Sequence, residues 1–213
     1  MTGFPAALRG LASHETALTA CLLRLLTRRG PHGVRQGDMA VPYASGQAAL
    51  MYGFLFVSVV ETVGLAFLIP WPVAHALTLV LDVWGVCFLV ALHASCVVRP
   101  HVIGADGSLR LRYGALLDIR VPARQIAAVR AERRFPESRM AAVDADGGAD
   151  LAVAGQTTVT VELTEPVAFV RPLGGTATAR VFRWYAEDPA AAVAALRARN
   201  RTPPSTPPVT QCS

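Results

Sequence analysis

Two long apolar stretches stand near the middle of the chain, and short alternating segments follow them. Residues 48–69 carry one charge, Glu61, and residues 73–98 carry one, Asp82. At about 1.5 Å per residue, each helix would reach across the roughly 30 Å hydrocarbon core of a bilayer. Pro70-Trp71-Pro72 separates them. Proline cannot continue a helix interior, and tryptophan suits the membrane–water boundary. A connection this short forces an antiparallel pair. The pattern therefore predicts a transmembrane helical hairpin over 47–98, with spans at 48–69 and 73–98.

After Pro100 the period changes from 3.6 to 2. Residues 101–103 read as a strand, and Asp106-Gly107 is a hairpin turn signal. Residues 108–113 alternate, with Leu109 and Leu111 on one face and Arg110 and Arg112 on the other. Further strands are expected at 116–121, 126–133, 151–154, 157–163, 167–171 and 177–185, with a Gly/Asp-rich loop reaching to Asp150. At Asp188-Pro189 the pattern turns helical. Aspartate is a good N-cap, and proline at the first helical position gives up an N–H that would lack a partner anyway. Val193 and Leu196 would then face inward. The expected fold is α+β: a two-helix transmembrane hairpin followed, over 99–199, by an antiparallel sheet or partial barrel with a C-terminal helix.

The flanking segments are less regular. Leu11, Leu18, Leu22 and Leu25 recur at helical spacing within residues 5–29. This arm is expected either on the anionic inner leaflet or packed on the soluble domain. Residues 30–46, with their glycines, Pro31 and Pro42, read as a linker. The Pro/Thr/Ser-rich residues 200–213 read as a disordered tail.

Composition agrees with a membrane assignment. Charged residues make up 16% of the chain, against about 25% in soluble domains. The net charge of +5 rests on arginine alone, because the chain has no lysine. An arginine-only, alanine-rich chain suggests a GC-rich genome of actinobacterial type. Arg9, Arg24, Arg28, Arg29 and Arg35 precede the hairpin, Arg99, Arg110 and Arg112 follow it, and the turn carries no basic residue. The positive-inside bias predicts a multi-pass cell-membrane protein with both termini in the cytoplasm. The four cysteines, Cys21, Cys87, Cys96 and Cys212, form no CxxC pair and are expected to stay reduced.

Gly107–Gly114, Leu117–Pro122 and Gln125–Arg130 resemble bacterial PH-like domains. There a glycine and a basic strand lead to a proline and an Ile-x-x-Val strand. The likeness covers about 99–199, and the whole layout resembles actinobacterial two-helix membrane proteins. The long Asp/Gly loop departs from that family. The resemblance implies a noncatalytic interaction module with no catalytic residues to carry over.

Candidate chemistry falls into two groups. Glu61 and Asp82 should lie near one depth, and a charge there costs at least about 2.5–3.5 kcal/mol. His75, Asp82 and His93 fall within about 20° on one helix face. This stripe could form a proton path, an ion site, a polar oligomer interface or plain helix–helix glue. The histidines are roughly 27 Å apart by helix rise, too far to share a metal ion. The second group is Arg110, Arg112, Arg120, Arg124, Arg130, Arg133 and Arg134, candidates for contact with anionic lipid or an acidic partner, or else ordinary solvated strand faces. Asp144–Asp150 lacks the glutamate of a calcium loop. No nucleophile motif, zinc spacing or helix-turn-helix pattern appears. The expectation is a membrane-anchored, noncatalytic scaffold without cofactor or metal, contacting membrane lipids, a protein partner or further copies of itself, and no nucleic acid. The alternative is a small proton- or ion-coupled membrane subunit using Glu61 and Asp82.

Overall fold

The computed structural model describes residues 16, 18–27, 30–137, 141–171 and 175–201. Strand β1 (Met39–Val41) leads into helix α1 (Ser45–Leu68), and helix α2 (Pro72–Val98) returns. The chain then forms strands β2 (His101–Ile103), β3 (Leu109–Tyr113) and β4 (Leu117–Val121), a 3-10 turn at Ala123–Gln125, and β5 (Ile126–Arg134). It continues with β6 (Gly148–Leu151), β7 (Thr157–Val170), β8 (Thr176–Trp184) and helix α3 (Pro189–Arg201).

Both long helices are apolar enough and long enough to cross a membrane, with mean hydropathies of 1.8 and 2.0. Their most apolar stretches bury none of their residues in the protein. Phe56, Phe67, Leu68, Val80 and Leu81 all point outward. Large apolar surface left open in this way calls for a nonaqueous neighbour.

The rest of the chain packs two four-stranded sheets around one core. Their strand orders are β1-β2-β3-β4 and β5-β7-β8-β6. Alternation places Ile103, Leu109, Leu111, Ile119 and Val121 inward from the first sheet, to meet Val159, Val161, Phe182 and Trp184 of the second. Helix α3 adds Ala192, Val193 and Leu196 to that core. The Asp188 carboxylate caps it, accepting from the Ala191 N–H at 2.9 Å. Its arginines tie the sheets together: Arg197 donates to the Val129 carbonyl of β5 at 2.7 Å, and Arg199 to Ile103 O of β2 at 2.5 Å.

Several expectations need correction. Residues 39–41, read as part of a linker, form β1 and pair with β2, Val41 opposite His101. A three-residue strand after glycine and before proline carries too little periodicity to stand out. The segments 157–163 and 167–171 form the single strand β7, which passes Pro166 through a register shift between Glu162 and Val167. Proline is tolerated in strands at such irregularities. Strand β6 begins at Gly148, inside the expected loop, and runs parallel to β8. Helix α3 continues to Arg201, so it takes in Asn200 and Arg201 from the segment read as a disordered tail. Residues 202–213, including Cys212, lie outside the described residues, as do Arg9, Leu11, Arg28 and Arg29.

Candidate functional site

The β1–β2 pairing makes the helical hairpin an insertion between two neighbouring strands. The two helices therefore leave the domain side by side. Their base is locked by a polar and aromatic cluster. Tyr43 is fully buried, and its hydroxyl accepts the Gly114 N–H at 2.6 Å. The Tyr113 hydroxyl donates to Gln47 at 2.9 Å. Glu187, just ahead of α3, accepts the Ser45 N–H at 3.1 Å, supplying the start of α1 with a carboxylate its own sequence lacks. Gly46 lets α1 approach the Tyr185 ring, since a β-carbon there would sit 2.8 Å from it.

Gly114 is the tightest point. It has φ of +50° and faces Ser95 and Cys96 of α2, so a side chain would collide with Ser95 Oγ. Gly114→Val combines a left-handed β-branched residue with overpacking, each costing about 1–3 kcal/mol. The variant is expected to melt well below wild type in detergent, and Ser95→Ala should recover part of the loss. Full wild-type stability of the single variant would show that the base is not tightly packed.

The polar residues of the hairpin separate into two environments. His75, Thr78 and Asp82 of α2 meet Thr62 and Leu65 of α1, and Ile69 just past it, around a small cleft of about 10 Å³, room for roughly one water. The threonine hydroxyls donate back to Ser58 and Ala74 carbonyls, which leaves their lone pairs for the cavity. One Asp82 carboxylate oxygen is buried without a hydrogen-bond partner. Glu61 is adjacent to Thr62 but about 100° around the helix, and its side chain is exposed. The structure thus joins His75 with Asp82 and turns Glu61 away from both. His93 lies nearer the base, its ring 5.5 Å from that of Tyr52 and its Nδ1 buried without a partner.

The arginines expected to contact lipid or an acidic partner, or to lie on solvated strand faces, also divide. Arg112 is 1% exposed, not solvated: it donates to the His32 carbonyl at 2.6 Å beneath the 30–35 segment. Burial and the neighbouring Arg110 pull its guanidinium down to about 10, still cationic at neutral pH. Arg110 is bidentate on Asp118. Burial works to raise that carboxyl, but the Arg110 hydrogen bonds and surrounding arginines outweigh it and hold it below the usual range. Arg130 pairs with Glu162 at 2.6 Å and with Glu132 at 3.4 Å. Arg120, Arg124, Arg133 and Arg134 carry exposed side chains.

The Asp144–Asp150 loop is a structural joint. Arg183 bridges Asp144 at 2.8 Å and Asp150 at 3.2 Å, and Asp144 also accepts the Gly148 N–H. Among the described residues no group of three or more acidic, histidine or cysteine side chains is placed to hold a metal ion. Cys21, Cys87 and Cys96 are free thiols.

One cluster escaped the sequence reading. Residues 18–26 are helical, with Leu18 and Cys21 buried and Leu23 and Leu26 exposed. A cleft of about 510 Å³ between this helix and the hairpin base is lined by Cys21, Leu23, Arg24, Thr27, His32 and Arg99. His32 held an unremarkable place in a glycine-rich segment, and Arg24 and Arg99 read as basic flanks of the hairpin. No signal short of the β1–β2 pairing brings them together. Compared with family models, curated proteins and solved structures, the chain finds no match in any of the three.

Proposed function

We propose that the chain is a membrane-anchored, noncatalytic scaffold. In this reading α1 and α2 cross the cell membrane, both ends lie in the cytoplasm, and the PH-like β domain contacts a protein partner or anionic lipid. The observation that carries it is the insertion of an outward-apolar helical hairpin between the paired strands β1 and β2. Such a joint fixes a folded domain at the membrane surface, and that is what a docking platform requires. The exposed Arg120, Arg124, Arg133 and Arg134 supply charge for acidic contacts. Each arginine near an anionic leaflet contributes about 1 kcal/mol.

Glu61 favours self-association. An exposed carboxylate on a membrane helix gains from a polar partner on a second copy. Glu61→Leu is expected to reduce crosslinked oligomers in detergent, while Asp82→Leu leaves them unchanged because Asp82 faces within the hairpin. Equal losses for both would refute this division of roles.

A second reading, proton or ion coupling, draws on the unpartnered Asp82 oxygen beside His75. The two readings separate by mutation in vivo. A scaffold tolerates Asp82→Asn and fails when Arg120, Arg124, Arg133 and Arg134 are reversed to glutamate. A coupled subunit shows the opposite pattern.

A further inference from the structure

We infer that the cleft between the 18–26 helix and the hairpin base binds the phosphate of an anionic phospholipid, held by Arg24, His32 and Arg99. This inference rests on the membrane-anchored reading and names a site within it.

The charge is concentrated and uncompensated. Arg24 and Arg99 line the cleft, and among the described residues no carboxylate does. Behind His32 lie Arg112 and Arg110, with Asp118 as their shared counter-charge: it is bidentate with Arg110 and only 4.0 Å from Arg112 Nε. Two arginines share one acid there, and two more line the cleft with none among the described residues. The His32 imidazole is held below its ordinary range by burial and then by Arg99, Arg112, Arg24 and Arg110 in turn, a direct sign of the positive field.

A donor is also waiting. Arg99 Nε, on the cleft wall, is buried without a hydrogen-bond partner. A buried cationic donor without an acceptor is costly, and a phosphate oxygen is a strong acceptor for a guanidinium. Position and shape select a lipid over a free ion. The remaining wall is Ala20, Cys21, Leu23 and Thr27. Exposed Leu23 and Leu26 extend the apolar surface beside it, and the exposed Val97 of α2 lies two residues from Arg99. A headgroup phosphate in the cleft would leave its acyl chains along these leucines and the hairpin.

The test uses the full chain in detergent, with native mass spectrometry after addition of phosphatidylglycerol, phosphatidylcholine or inorganic phosphate. Phosphatidylglycerol is expected to be retained over phosphatidylcholine and to resist millimolar phosphate. Arg24→Gln and Arg99→Gln should each weaken retention by about tenfold, the value of one charge-assisted contact. Arg99→Lys should retain part of the binding, and Arg171→Gln with Arg201→Gln, exposed arginines outside the cleft, should leave it unchanged. Melting temperatures of all variants show that the fold is intact. Displacement by phosphate alone would overturn the lipid assignment. Equal retention of both lipids, or loss only in the Arg171 and Arg201 variants, would overturn the cleft while leaving the anchor in place. A chain that washes off membranes would remove the anchor itself.

Discussion

Trp184→Ala is expected to cost about 3–5 kcal/mol, the range for removing a large aromatic side chain from a packed interior. Trp184 is fully buried at the end of β8, where the second sheet meets the hairpin base. Its ring lies edge-on to His101, 4.9 Å between centroids, and His101 in turn lies 4.5 Å from Tyr43. Removing the indole therefore opens a hole that reaches both the core and the base of the helices. Native domains have about 5–15 kcal/mol of stability, so the variant should melt far below wild type. Trp184→Phe provides the contrast. The indole Nε1 is buried without an acceptor, so phenylalanine loses volume but also removes an unsatisfied donor, and its cost should be well under half. Thermal unfolding in detergent measures both. Similar melting points for the two variants would show that ring volume at this position does not hold the domain together.

The second large effect is acid sensitivity. His101 is 1% exposed, its Nδ1 accepts the Arg112 N–H at 3.0 Å, and burial pushes its pKa down to about 3. An unfolded histidine titrates near 6.5. Above that pH neither state binds the proton and His101 adds no pH dependence. As pH falls below about 6.5 the unfolded chain takes up a proton that the folded chain refuses until about 3. Stability should then fall by about 1.4 kcal/mol per pH unit, or roughly 3 kcal/mol by pH 4. His32, also held below its ordinary range but more exposed, adds a smaller share. Asp106, Asp118 and Asp144, whose carboxyls are held low by their partners, act mainly below about pH 4. His101→Asn keeps an acceptor for the Arg112 N–H and cannot charge. Denaturant unfolding between pH 7 and 4 should show a flatter profile for this variant. An unchanged slope would move the acid sensitivity elsewhere.

The parts of this molecule that follow from periodicity were legible in the sequence. The long apolar runs fixed α1 and α2 to within a few residues, because nothing interrupts them except Pro70 and Pro72. Alternation located β3 and β4, and Asp188-Pro189 located α3. What depends on tertiary pairing was hidden. Strand β1 is three residues long and exists because β2 lies beside it. Arg112 alternates with leucine as a solvent-facing residue should, yet the 30–35 segment covers it. Glu61 and Asp82 share a depth, but a single residue's rotation sets one inside the hairpin and the other outside. The Arg24–His32–Arg99 cleft draws on three segments that no local pattern connects.

In the membrane-anchored reading proposed above, the domain and the α1–α2 turn lie on opposite sides of the bilayer. Single cysteines at Trp71 and at Arg120, placed in a chain whose native cysteines are replaced, can be labelled with a membrane-impermeant maleimide in intact cells and in inverted vesicles. Position 71 is expected to react only from outside the cell and position 120 only from the cytoplasmic face. Reaction of both positions from the same side would contradict it.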